Sequence, residues 1–132
     1  MTTSTTALRI AAVGALVAGL CVAGGAFGAH ALRSMVTPER LATFETAMRY
    51  GLVHGVALVA LGALAAAHVS LEPLARRVAT LWGAGLALFT GSLVLLVLLD
   101  VPMLGIVTPF GGVALIGGWL WLAVGLLRHG RD

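Results

Sequence analysis

The sequence predicts an all-α protein, an antiparallel bundle of four transmembrane helices with an amphipathic segment before the second span. Two observations carry this. Four apolar stretches, about 10–29, 50–69, 78–99 and 109–127, contain no Asp, Glu, Lys or Arg, and each is close to the roughly 20 residues that cross a bilayer. Charged residues make up 10% of the chain and hydrophobic residues 60%, whereas a soluble domain carries about 25% charge. Backbone groups in hydrocarbon must pair within their own segment, and barrel strands would alternate polar and apolar residues, so the stretches read as helices. At 132 residues the chain reads as a single integral membrane domain.

The first stretch follows Arg9, and Ala29-His30-Ala31 has the small-x-small form of a signal-peptide cleavage site. Its length exceeds the roughly 7 to 15 residues of a signal core. Small residues recur along it at three-to-four spacing: Ala11, Gly14, Ala18, Cys21, Gly25 and Gly28. In lipid, where hydrophobicity cannot draw helices together, such a face lets backbones approach, so the segment is expected to remain and pack. Cys21 is the sole cysteine, which excludes an intrachain disulfide and the metal motifs built on cysteine pairs.

Between the first two spans, Thr37-Pro38-Glu39 has the form of a helix start: Thr as cap, Pro at the first helical position and an acid in the first turn. Leu41, Phe44, Ala47 and Met48 then recur at helical spacing opposite Glu39, Arg40 and Thr43. This segment is read as lying at the membrane surface and running on into the second span. Glu45 and Arg49 are one turn apart and can pair. The connections near 70–77 and 100–108 are short and hold Pro73 and Pro102, which forces antiparallel neighbours. Further small-residue faces run through Gly51 and Gly55 in the second span, Gly91 in the third, and Gly111 and Gly118 in the fourth.

All eight basic residues are arginines, set in short clusters between apolar runs. They form no basic face, which argues against a nucleic-acid partner and leaves the lipid bilayer as the principal one. Arg9, Arg76, Arg77, Arg128 and Arg131 fall on one side of the proposed topology and Arg33, Arg40 and Arg49 on the other, so the positive-inside rule places both termini in the cytoplasm.

Several blocks together resemble one family. Gly25-Ala26-Phe27-Gly28-Ala29-His30, then Phe44-Glu45-Thr46-Ala47-Met48-Arg49-Tyr50 with His54, then Phe89-Thr90-Gly91-Ser92-Leu93, then Thr108-Pro109-Phe110-Gly111-Gly112 with Gly118-Trp119 look like the signature blocks of the bacterial YgdD and YwdK membrane proteins, a domain of unknown function. The resemblance covers nearly the whole chain with block order preserved. It implies an uncleaved four-helix protein of the plasma membrane and no established activity. Gly51-Leu52-Val53 and Val94 depart from the family pattern toward smaller or less polar residues, which implies a less polar pocket than in relatives.

Polar residues gather toward one membrane face. His30 ends the first span; Glu45, Arg49 and Tyr50 enter the second, with His54 a turn deeper; Thr90 and Ser92 lie in the third; Thr108 begins the fourth. Read structurally, Thr108 caps a helix, Thr90 and Ser92 bond back to their own helix, Asp100 is solvated, and Glu45 pairs with Arg49. Read functionally, ionisable groups inside a bundle mark a site, with Glu45, Arg49, His54 and His30 forming one connected group between the first two helices. No nucleophile–base pair, histidine–glutamate zinc motif or phosphate loop is present, so no enzyme, metal site or cofactor is expected. Two function classes follow. One is a structural, accessory or scaffold protein partnering other membrane proteins or its own copies; the other is an oligomeric transporter or channel for a small solute or ion that uses the polar cluster.

Overall fold

The structure, a computed structural model, describes residues 4–130; Arg131, one of the arginines that set the expected orientation, and Asp132 lie outside them. Four α-helices follow one another: α1 (Thr5–His30), α2 (Pro38–Ala67), α3 (Glu72–Leu99) and α4 (Thr108–His129). Short 3-10 turns at Leu32–Ser34, Val69–Leu71 and Pro102–Ile106 join them. All four are long and apolar enough to cross a membrane.

The helices outrun the apolar stretches, because the flanking polar residues are also helical. Ser4 caps α1 by accepting from the Ala7 N–H at 3.3 Å, and its hydroxyl donates to Glu72 Oε2 at 2.5 Å, tying the starts of α1 and α3 together. Thr37 accepts from the Arg40 N–H with Pro38 behind it, so α2 begins where the Thr-Pro-Glu signal indicates. From there α2 runs 30 residues without a break, roughly 45 Å at about 1.5 Å per residue. That exceeds a hydrocarbon core of roughly 30 Å, so the amphipathic start of α2 is continuous with the span and stands in the interface. Glu72 opens α3, which carries Arg76 and Arg77 in its first two turns. Asp100 ends it in the left-handed conformation at φ 57°, one of the few non-glycine residue types that tolerate it.

Two helix pairs are made by backbone contact. Along α1 and α2, Ala11 meets Gly62, Ala18 meets Gly55, Cys21 meets Gly51, Gly24 meets Met48 and Gly28 meets Phe44, an antiparallel register held over the length of α1. A Cβ on Gly14 would sit 2.6 Å from the Gly55 carbonyl oxygen, and one on Gly55 2.7 Å from the Ala18 nitrogen. The α3–α4 pair repeats the arrangement: Gly85 lies against Leu115, Gly111 against the Gly85 carbonyl and Phe89 nitrogen, and Gly118 against the Trp82 indole. α2 and α3 are central and α1 and α4 flank them. Leu58, Leu61, Val78, Trp82 and Leu86 are buried with Ala7 and Ile10 of α1 and Leu115 of α4. Among the described residues, no α carbon of α4 comes within 8 Å of one in α1 or α2.

Two glycines assigned to packing faces in the sequence are not at contacts. A Cβ on Gly25 would meet nothing within 4 Å, and one on Gly91 would come near only the Leu86 carbonyl of its own helix, at 3.9 Å. The reason in α1 is register. The contact line runs through Ala11, Gly14, Ala18, Cys21, Gly24 and Gly28, with two successive steps of three after Ala18, so it leaves the even three-four alternation that passes through Gly25 and sets Gly24 against Met48.

Leucine at position 55 should therefore destabilise the fold by at least about 3 kcal/mol, the upper range of overpacking, because the nearest atoms are backbone and can yield only if the helices part. Leucine at position 25 should stay within about 0.5 kcal/mol of the parent. Thermal unfolding in one detergent measures both, and equal melting temperatures for Gly55→Leu and the parent would remove backbone approach as the basis of the α1–α2 pair.

Candidate functional site

The residues that the sequence gathers into one polar group divide into three places. Glu45 and Arg49 are exposed on the outer side of α2, and no ion pair joins them; among the described residues the ion pair present is Arg40–Asp100. His30, at the end of α1, is also exposed. The expected group of Glu45, Arg49, His54 and His30 is therefore not formed. Helical phase explains this: nine residues at about 100° each put Glu45 half a turn away from His54, and Arg49 is nearly as far round. Asp100 is not merely solvated, because it takes the Arg40 guanidinium across from α2. With side chains 32% and 70% exposed, this pair contributes at most about 1 kcal/mol.

A second polar place joins α2, α3 and α4 near the end that holds Thr108. Thr90 donates to the Ala47 carbonyl of α2 at 3.2 Å instead of bonding within its own helix. Ser92, 6% exposed, donates to the Phe89 carbonyl at 3.0 Å. With its one proton so used, Ser92 receives the Thr108 hydroxyl at 2.7 Å. Thr108 is thus the first residue of α4 and not its cap; Val107 holds the cap position and makes no side-chain bond there.

The third place is the middle of the bundle. His54, 4% exposed, faces α3 and α4. Its Nδ1 lies 2.8 Å from the Tyr50 carbonyl, and its Nε2 lies 3.0 Å from Trp119 Nε1. An indole N–H can only donate, so His54 Nε2 is the acceptor, and the ring proton sits on Nδ1 and goes to Tyr50. Both nitrogens of a neutral imidazole are then occupied. Trp82, fully buried, stands edge-on to His54 with centroids 5.7 Å apart and tilts onto Trp119 at 4.6 Å. Gly118 leaves the space that the Trp82 ring occupies. Trp82 Nε1 itself is buried without a hydrogen-bond partner among the described residues. Tyr50 is partly exposed and covers this layer from the side, 4.7 Å from Phe89.

This arrangement works as a clamp. Since α2 and α4 do not approach at the backbone, the His54–Trp119 bond is the polar link between those two helices, while Thr90–Ala47 and Ser4–Glu72 link the helix pairs through α3. Sequence reasoning found His54 but neither tryptophan. The available signal was the position of Trp119 in the middle of an apolar run, where tryptophan is out of its usual interfacial belt and its N–H needs an acceptor. Chemically, the clamp orients rings and satisfies donors. Among the described residues, His, Cys, Asp and Glu nowhere gather in threes.

A family described as a protein of unknown function (DUF423) matches residues 24–112, which span the end of α1, α2, α3 and the start of α4. The chain is 37% identical over 116 residues to a UPF0382 membrane protein of Staphylococcus saprophyticus, covering 88% of this chain and 94% of that one. It is 33% identical over 117 residues to the UPF0382 membrane protein YwdK of Bacillus subtilis, covering 89% and 94%. A UPF0382 membrane protein of Staphylococcus haemolyticus is 33% identical over 116 residues. No solved structure matches.

A double-mutant cycle tests the clamp. His54→Phe and Trp119→Phe should be non-additive in unfolding free energy, with a coupling of about 0.6 kcal/mol, the average for hydrogen bonds between membrane helices, and at most about 1.7 kcal/mol. Glu45→Gln should change stability by less than about 0.5 kcal/mol. Strict additivity at positions 54 and 119 would mean that the bond contributes nothing to the fold.

Proposed function

The chain belongs to the DUF423 family of membrane proteins, and from that premise we propose that it is a non-enzymatic structural or accessory component that acts by lateral association with other membrane proteins or with its own copies. One observation carries the reading: apart from the Trp82 indole N–H, the buried polar side chains inside the bundle are spent on one another and on backbone carbonyls. His54 uses both ring nitrogens, Thr90 reaches Ala47, and Ser92 and Thr108 hold each other. A transport route needs polar groups turned toward a passage, and these are turned toward helix contacts. What the protein offers its surroundings is surface. α4 in particular presents Phe110, Val113, Ile116, Leu120 and Leu127 outward, each more than half exposed.

The same reading places the protein in the plasma membrane, as the family resemblance implies, with both termini cytoplasmic. Arg9, Arg76, Arg77 and Arg128 stand at one end of the helices, and Arg33, Arg40 and Arg49 at the other. This is the asymmetry that the positive-inside rule reads.

The mass of the full chain extracted from its native membrane in mild detergent tests association. The chain should travel in a particle larger than one 13.4 kDa copy with its detergent. A single copy would remove association, and release of a trapped ion or small solute from proteoliposomes would replace this reading with the oligomeric transporter. For orientation, a cytoplasm-dependent reporter joined after Asp132 should be active, and an inserted but silent fusion would invert the assignment.

A further inference from the structure

The arginine-rich end of the bundle holds a groove of about 700 Å³ between the start of α3 and the end of α4. Arg77, Arg128 and His129 stand at its mouth, and Leu74, Leu120 and Val124 form its apolar wall. The volume lies within the roughly 300 to 1,000 Å³ of small-molecule sites. Among the described residues no carboxylate lines the groove, and neither arginine is held in an ion pair. His129 is steadied across the groove by Ser70, with the hydroxyl 3.1 Å from Nε2. The two arginines come from different helices, so an anion between them would bridge the α3–α4 pair. The depth is set by Gly117, about three turns above Arg128 on α4, or roughly 17 Å at about 1.5 Å per residue. A Cβ at Gly117 would meet nothing within 4 Å, so this glycine is not a packing residue; its missing side chain keeps the groove open.

From this geometry we propose that the α3–α4 groove is a binding site for an anionic phospholipid of the surrounding leaflet, with its phosphate between Arg77 and Arg128 and one acyl chain along Leu74, Leu120 and Val124 toward Gly117. Charge complementarity selects the occupant. A cationic rim at the ends of two spanning helices lies at headgroup depth, where a phosphodiester is the abundant anion. The apolar wall beneath requires that the anion carry hydrocarbon, which a free phosphate lacks. Basic pockets between membrane helices are known to take anionic headgroups by this combination. A second groove, between α1 and α3, has Arg9 and Arg76 at its mouth but only about 310 Å³. It serves as the internal comparison, since its lining Gly83 is equally open.

The test uses the purified full chain in a neutral detergent, with retained lipid read by native mass spectrometry and stability by thermal unfolding. Phosphatidylglycerol should bind and raise the melting temperature, while phosphatidylcholine and inorganic phosphate should not. Arg77→Gln with Arg128→Gln should weaken phosphatidylglycerol binding by roughly thirtyfold, from about fivefold per arginine near an anionic lipid. Gly117→Leu should abolish binding while leaving the lipid-free melting temperature unchanged, because its side chain fills the groove and not a helix contact. Gly83→Leu should leave binding intact. Equal binding of phosphatidylcholine, equal stabilisation by inorganic phosphate, unchanged binding in Gly117→Leu, or loss of binding in Gly83→Leu would each overturn the site.

Discussion

Hydrocarbon removes the two defaults of soluble folding. Apolar side chains gain nothing by leaving lipid for one another, and a polar atom has no water to fall back on. Contact between backbones and pairing of interior donors are what remain, and the rest of the structure depends on them, with the Trp82 indole N–H the unpaired exception among the described residues. α1 and α2 meet through Gly14, Gly55 and Gly62 so closely that each glycine leaves no room for a Cβ. The same solution joins α3 to α4 through Gly85, Gly111 and Gly118.

The two pairs then need a connection, and it is made differently. Between α2 and α3 it is ordinary packing of Leu58, Leu61, Val78 and Trp82. Between α2 and α4 it is a bond between long side chains, His54 to Trp119, with Trp82 wedged against both. Nearer the Thr108 end, Thr90 performs the same service between α3 and α2 with shorter reach, while Ser92 and Thr108 hold α3 to α4. At the interface itself, where water is available, Arg40 and Asp100 remain exposed and the pair is worth little. The strength asked of each polar contact thus follows its depth.

The sequence carries the helix count, the short connections and most of the close contacts, because apolar length and glycine spacing are one-dimensional signals. The contact line on α1 shifts from Gly25 to Gly24 because Met48 of the partner helix seats there, and that seat depends on how the two helices dock. The polar group was legible as a set of residue types but not as an assembly. Glu45 and Arg49 lie close before His54 in the chain, yet helical phase turns them to the other side of α2. Trp119 was readable in principle, as a donor stranded in mid-span. Its acceptor, 65 residues earlier in the chain, is set by how the two helix pairs dock.

The account turns on His54 being an internal strut rather than a titrating site. Its geometry fixes one form of the ring: neutral, protonated on Nδ1 toward the Tyr50 carbonyl, with Nε2 receiving the Trp119 N–H. Nitrogen-15 magnetic resonance of histidine-labelled protein in bilayers, with the His54 signal assigned by its loss in His54→Phe, reads this form directly. The account predicts an Nδ1-protonated neutral ring at neutral pH, with Nε2 unprotonated and hydrogen-bonded. An imidazolium, or a ring protonated on Nε2, would contradict it and return the residue to the candidates for ion or proton handling.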